Sequence, residues 1–265
     1  MTSAEALRLF AAEVAQEAGA LARQRRSEGV AVAATKSSLA DIVTEADREV
    51  EALIRTRLAE ERPGDGFLGE ESGTQEGSTG LTWVVDPIDG TVNYAGGFPA
   101  YCVSIAVVEG AVTPEAWDGV AGAVFAPVLG ELFTAVRGGG AWLGRSRLHV
   151  SEPGPAGALI ATGFGYDPAT HEGDLDIVRR VMPLARDLRR MGAAAIDLSY
   201  VAAGRLDGYF ERGLKPWDLA AGMLLVQEAG GVVRRPDPRG TPRAMTVAGS
   251  ATLADDMVLR IRGDR

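Results

Sequence analysis

Two short apolar runs in this chain end in acids, and that pattern constrains the fold more than any other feature. Phe67-Leu68 leads into Gly69-Glu70-Glu71-Ser72, and Trp83-Val84-Val85 leads into Asp86-Pro87-Ile88-Asp89-Gly90-Thr91. Apolar runs of this length bounded by turn residues read as strands. Far downstream, Lys215-Pro216-Trp217-Asp218 puts another acid at the head of an apolar helix. Carboxylates in such places are costly to bury unless they are paired, hydrogen-bonded or bound to metal.

Composition narrows the choice of chemistry. One cysteine, Cys102, and two histidines, His149 and His171, leave disulfide frameworks, Cys/His zinc sites and iron–sulfur clusters without ligands. The 36 acids against 27 bases give a net charge of −9, which argues against a phosphate-backbone-binding surface. Carboxylates are the tool that remains, and magnesium suits them: it takes hard oxygen ligands and is commonly held by a few carboxylates together with substrate phosphate. A Pro-containing turn lets Asp86 and Asp89 face one site, with the Ile88 carbonyl as a further oxygen. Gly90 permits close backbone approach, its amide and that of Thr91 can accept a phosphate's charge, and the Thr91 hydroxyl can position a water.

Along the chain, Leu7, Phe10, Val14, Ala18 and Leu21 form one helical face behind a Thr2/Glu5 capping-box spacing. A second helix carries Val50, Leu53, Ile54 and Leu58, with Asp47 in its first turn. Residues 100–109, 119–127, 131–136 and 141–150 read as consecutive antiparallel strands, and the Gly138-Gly139-Gly140 run as a mobile hairpin turn. A Pro/Gly-rich stretch, Ser151 to Gly157, divides an α+β half (1–150), which carries most of the candidate metal ligands, from an α/β half (151–265), which carries Asp218; the two form one compact unit. The second half alternates: strand Ala158–Thr162, helix Leu175–Asp187, helix Ala194–Ala203, strand Leu206–Phe210 and helix Trp217–Ala229. Neither a secretory signal nor a spanning helix is evident, so a cytoplasmic protein is expected.

Taken together, Gly69-Glu70-Glu71-Ser72, Asp86-Pro87-Ile88-Asp89-Gly90-Thr91 and Trp217-Asp218-Leu219-Ala220-Ala221-Gly222 resemble the signature segments of the inositol monophosphatase family. The block Asp41-Ile42-Val43-Thr44-Glu45-Ala46-Asp47 resembles its N-terminal acidic motif. The resemblance runs from about Thr35 to Ser250 and implies a layered αβαβα sandwich of the inositol monophosphatase/fructose-1,6-bisphosphatase type, in the α+β or α/β class. It also implies a homodimer and Mg²⁺-dependent, Li⁺-sensitive hydrolysis of a small phosphomonoester. Carried onto this chain, Glu70, Asp86 and the Ile88 carbonyl hold one Mg²⁺, and Asp86, Asp89 and Asp218 a second; a third, weaker ion can join at Glu70. Asp47 and Thr91 orient and help deprotonate the attacking water. Gly90 and Thr91 amides hold the phosphate, and Ala194 and Glu211 match the inositol-contacting positions. Lys36 matches a mobile loop near the metals.

The leading expectation is therefore an inositol-1-phosphate phosphatase, acting on a small molecule and not on nucleic acid or a membrane. Its runner-up is a fructose-1,6-bisphosphatase or another sugar or nucleotide phosphatase. A regulatory binding protein on the same fold and a metal-independent glycosidase are the readings from other classes. His149 and His171 are expected on the surface, Cys102 as an inert buried thiol, and Trp217 as a packing residue beside Asp218.

Overall fold

The computed structural model describes residues 3–29, 32–35, 42–236 and 243–264. Thr2, Lys36 and Asp41, which the sequence reading singled out, lie outside them. The chain begins with helix α1 (Ala4–Glu28), a two-stranded pair β1 (Val32–Thr35) and β2 (Ile42–Thr44), and helix α2 (Glu45–Glu61). Next come β3 (Gly66–Gly69), β4 (Gly73–Gln75), β5 (Leu81–Asp89) and the short helix α3 (Thr91–Gly96). A meander follows: β6 (Cys102–Gly110), β7 (Trp117–Ala126), β8 (Glu131–Val136), β9 (Gly140–Leu143) and β10 (Ser146–Arg147). The remainder is β11 (Ala158–Thr162), α4 (His171–Val181), β12 (Ala185–Arg189), α5 (Ala194–Ala202), β13 (Gly208–Arg212), α6 (Pro216–Glu228), β14 (Val232–Arg234), β15 (Met245–Gly249) and α7 (Ala251–Arg262).

Two mixed sheets organise these elements. One has eight strands in the order β10-β9-β8-β7-β6-β5-β3-β4, antiparallel except for the parallel pair β3 and β5. The other has five strands in the order β12-β11-β13-β15-β14. Alternation along β5 assigns the layers, because successive side chains point to opposite faces of a sheet. Trp83 and Val85 pack with Leu7, Val14, Val50 and Ile54 of α1 and α2. Val84 faces the other way, into a cluster with Leu198 of α5 and Leu219 and Leu225 of α6. That central cluster continues to Ala161, Tyr209 and Ala248 of the five-stranded sheet. The far face of this sheet, with Ile160, Phe210 and Val247, is covered by Ile177 and Val181 of α4 and Met257 and Ile261 of α7. The result is the αβαβα layering that the resemblance implied.

Local chemistry accounts for the elements. Ser3, rather than Thr2, is the N-cap of α1, its Oγ accepting from the Ala6 N–H at 3.2 Å. α6 is buried from Leu219 to Val226 on every side, since it lies between two sheets, and its sequence is apolar all round for that reason. Three elements depart from expectation. The helix proposed for Leu175–Asp187 begins earlier, at His171, and stops at Val181; Pro183 cannot continue it, and residues 185–189 pair in parallel with β11. Residues 141–150 form two short strands instead of one. The Gly138–Gly140 turn is pinned, not mobile: the Glu228 carboxylate accepts from the Gly138 N–H at 2.7 Å and the Gly140 N–H at 2.9 Å, so those amides cradle a side chain of this protein and not a phosphate. No helix among the described residues is long and apolar enough to cross a membrane.

Candidate active site

The site is built at the C-terminal end of β5. Asp86 pairs with Ser104 and Asp89 with Cys102, so three steps along β5 match two along β6. Residues three apart on a regular strand point to opposite faces; one inserted residue brings them back to the same side. The sequence reading placed a turn between the two acids, and the structure has instead a bulge in a continuous strand, with Pro87 at a position that loses a ladder hydrogen bond.

Gly90 follows with φ +93°, ψ 37°, turning the chain into α3. A Cβ there would lie 2.9 Å from the Ala100 carbonyl oxygen and 3.2 Å from the Ala193 Cβ. Gly90→Ala is accordingly expected to cost about 2 kcal/mol from the left-handed backbone and the clash, a fall of roughly 4–8 °C in melting temperature for a chain of this size. A melting curve unchanged from wild type would contradict that account.

Three carboxylates converge. One oxygen each of Asp86, Asp89 and Asp218 lie within 4.8 Å of one another. Each has an oxygen held by backbone: Asp86 Oδ1 accepts from the Ile88 N–H at 3.1 Å, Asp89 Oδ2 from the Ala195 N–H at 2.7 Å, and Asp218 Oδ2 from the Lys215 N–H at 2.7 Å. The Asp89 bond ties the opening of α5 to the end of β5, across 106 residues of sequence, whereas the Asp218 bond is local and caps the first turn of α6. The Thr91 hydroxyl donates to the Ile88 carbonyl at 3.1 Å. Glu70, one residue beyond β3, donates its N–H to the Val85 carbonyl at 3.2 Å.

These acids border a cavity of about 600 Å³ whose wall also includes Ile88, Gly90, Thr91, Ala194 and Glu211. Of the described residues expected at the site, Asp47 alone lies outside the cavity wall; it is 1% exposed in the first turn of α2 and reaches the cluster as one of the charges acting on Asp86. Cys102 is buried with Sγ 3.8 Å from Asp89 Oδ2, and Trp217 is half-buried against the central core. His149 and His171 are both exposed.

The electrostatics are those of a cluster that could hold a cation. Burial pushes the Asp86 carboxyl well above its ordinary range, and Glu70, Asp89, Asp218 and Asp47 push it further. Asp89 is raised by burial and then by Asp218. Asp218 rises to about 6, chiefly through burial, against hydrogen bonds from the Lys215 amide and the Asp86 side chain. Glu211 rises to about 7, again through burial, offset by the Tyr209 hydroxyl that donates to it at 2.7 Å. Hard oxygen donors crowded until they raise one another's pKa values suit a divalent ion such as Mg²⁺. Asp86, Asp89 and Asp218 are the residues that would hold such an ion.

Sequence reasoning missed part of the wall. Arg190, Lys215, Tyr166 and Arg243 line the same cavity. Lys215 stands inside the segment Lys215-Pro216-Trp217-Asp218 singled out above, whereas Tyr166 and Arg243 lie in stretches with no periodic or motif signal.

The inositol monophosphatase family model matches residues 3–262. An inositol-1-monophosphatase, SuhB, from Mycobacterium tuberculosis is 42% identical over an alignment of 276 positions, spanning 97% of this chain and 93% of that protein. A Nus factor SuhB from Xylella fastidiosa is 42% identical over 229 positions, 83% of this chain and 81% of that one. Among solved structures, the extragenic suppressor protein suhB from Bartonella henselae superposes with a TM-score of 0.86 at 36% identity, covering 97% of this chain and 98% of that chain.

Proposed function

From the premise that the chain belongs to the inositol monophosphatase family, we propose that it hydrolyses a small phosphomonoester, with inositol 1-phosphate as the leading substrate. The convergence of Asp86, Asp89 and Asp218 is the observation that carries this reading. Glu70, Asp86 and the Ile88 carbonyl would hold one Mg²⁺, and Asp86, Asp89 and Asp218 another, with room for a third at Glu70. Bound divalent cations neutralise phosphate charge and make water acidic enough to be a nucleophile near neutral pH.

The chain's own groups supply orientation and proton handling. The Thr91 hydroxyl, already anchored on the Ile88 carbonyl, and Asp47 orient the attacking water and take its proton. Gly90 and Thr91 amides face the phosphate. Water oxygen bonds to phosphorus as the ester P–O bond breaks, and the alcohol leaves with a proton, so no side chain becomes phosphorylated. Glu211 and the Ala194 backbone select the leaving group: an acceptor carboxylate matched to ring hydroxyls disfavours alcohols that lack them. The reading extends to a cytoplasmic homodimer acting on free small molecules.

A second reading has one observation in its favour. The Xylella fastidiosa relative is named for a Nus factor role, so a regulatory contact with another macromolecule is the competing function. Phosphate release decides between them, measured from inositol 1-phosphate, fructose 1,6-bisphosphate, a nucleoside monophosphate and p-nitrophenyl phosphate at equal concentration, with Mg²⁺ or with EDTA. We expect turnover that EDTA abolishes and Li⁺ inhibits, highest on inositol 1-phosphate. A higher kcat/KM on fructose 1,6-bisphosphate would change the substrate, and turnover that survives EDTA would remove the mechanism. Absence of turnover together with a stoichiometric co-purifying macromolecule would establish the second reading.

A further inference from the structure

Outside the acid cluster, the cavity wall contains a guanidinium seated in a slot built for it. Arg243 Nη1 donates to both oxygens of Asp174, at 3.0 and 2.9 Å, and its Nη2 donates to the Arg212 carbonyl at 2.8 Å. Asp174 is 6% exposed in the first turn of α4, and its Oδ2 also accepts from the Gly165 N–H at 3.1 Å. Two glycines make the room: a Cβ on Gly165 would lie 2.7 Å from Arg243 Nη2, and one on Gly213 would lie 2.8 Å from Arg243 Nε. The Asp174–Arg243 ion pair and the two backbone groups it holds therefore join α4, the ribbon that follows β11 and the end of β13.

The parts so joined meet at Glu211. Arg212, whose carbonyl Arg243 holds, is the next residue in β13, and Gly213 donates its N–H to the Ala244 carbonyl beside Arg243 at 2.8 Å. From the other side, Gly163 lies so close under the Glu211 carboxylate that any Cβ would collide with it, and Gly163 leads directly to the amide that Asp174 fixes. Glu211, Gly165, Arg212, Gly213 and Arg243 all border the cavity.

We propose that the Asp174–Arg243 pair is a positioning clasp that sets selectivity for polyol phosphates by holding the Glu211 carboxylate against the Gly163–Gly165 ribbon. The clasp rests on the phosphatase reading and deepens it. It acts through Glu211 and need not touch substrate. Lysine has one nitrogen in place of a planar guanidinium, so it cannot hold Asp174 through Nη1 and the Arg212 carbonyl through Nη2 at once, and even the charge-conserving change loosens the clasp.

The test is the ratio of kcat/KM for inositol 1-phosphate to that for p-nitrophenyl phosphate, which has no ring hydroxyls for Glu211 to accept from. Arg243→Gln and Asp174→Asn are expected to lower that ratio about tenfold, mainly through KM for inositol 1-phosphate, with Arg243→Lys intermediate. Where Arg243→Gln melts below the assay temperature, Arg243→Lys carries the comparison. Glu211→Gln should lower the ratio on its own, and adding Arg243→Gln to it should lower the ratio no further, because the two changes remove one interaction. An unchanged ratio, an equal loss on both substrates, or additivity with Glu211→Gln would overturn the clasp while leaving the phosphatase reading intact. A wild-type protein that releases phosphate from neither substrate in Mg²⁺ would remove that reading, and the clasp with it.

Discussion

Asp86→Asn is expected to reduce kcat/KM on any substrate by more than about a hundredfold, beyond the ~10–100-fold typical of losing a partner one shell further from a metal, while leaving the fold intact or raising its melting temperature. Both halves follow from one position. Asp86 stands at the centre of the acids, and its carboxyl is raised by Glu70, Asp89, Asp218 and Asp47 together. Asn keeps the volume and the oxygen that accepts from the Ile88 N–H, so the bulge that aims residues 86 and 89 survives. It removes the charge of the one carboxylate that both proposed ligand sets share. In the metal-free protein the same loss relieves repulsion among buried acids, so a thermal melt should show no destabilisation. Activity lost at a lower melting temperature would point to misfolding, and activity retained would show that Asp86 holds no metal.

How much of this was legible in the sequence depended on whether the signal was local. The helix faces of α1 and α2, the strand ahead of Asp86 and the apolar run of α6 follow from side-chain spacing over a dozen residues, and the structure has them within a few residues of expectation. Acids at strand ends were legible as a site because burial makes them expensive, whatever brings them together. What could not be read was geometry made by pairing. The bulge that turns Asp86 and Asp89 to one side depends on the register against Ser104 and Cys102, and Asp89 accepting from the Ala195 N–H joins positions 106 residues apart. β12 was misread as helix because Leu184 and Leu188 continue a helical spacing past Pro183, and a parallel partner in β11 outweighed it. The seat of Arg243 was invisible for the same reason: its glycines, its carboxylate and its carbonyl come from three separate stretches of chain.

Metal-free protein is expected to lose stability as pH rises from about 4 to about 7, and Mg²⁺ to restore it most at the alkaline end. Asp218 and Glu211 have ordinary values of 3.8 and 4.5 and rise to about 6 and about 7 in the folded chain. Between those limits the folded state binds more protons than the unfolded one, so stability falls with pH. Below pH 4 both states are protonated and nothing is lost; above pH 7 the penalty is complete. For Glu211 the gap corresponds to at most about 3.5 kcal/mol at ~1.4 kcal/mol per pH unit. Asp86 and Asp89 add to it in the same direction. A cation bound by the carboxylates reverses their contribution, because it binds the ionised forms and competes with protons. At a hundred times its dissociation constant a ligand adds about 2.7 kcal/mol, worth roughly 5–10 °C in a chain of this length. Comparing melts with Mg²⁺ and with EDTA at pH 5 and pH 8 cancels titrations elsewhere on the surface. The difference should be several degrees at pH 8 and should shrink at pH 5. An equal difference at both pH values would mean that Mg²⁺ binds outside the acid cluster, and no difference at either would leave the crowding of Asp86, Asp89 and Asp218 without the cation that makes it tolerable.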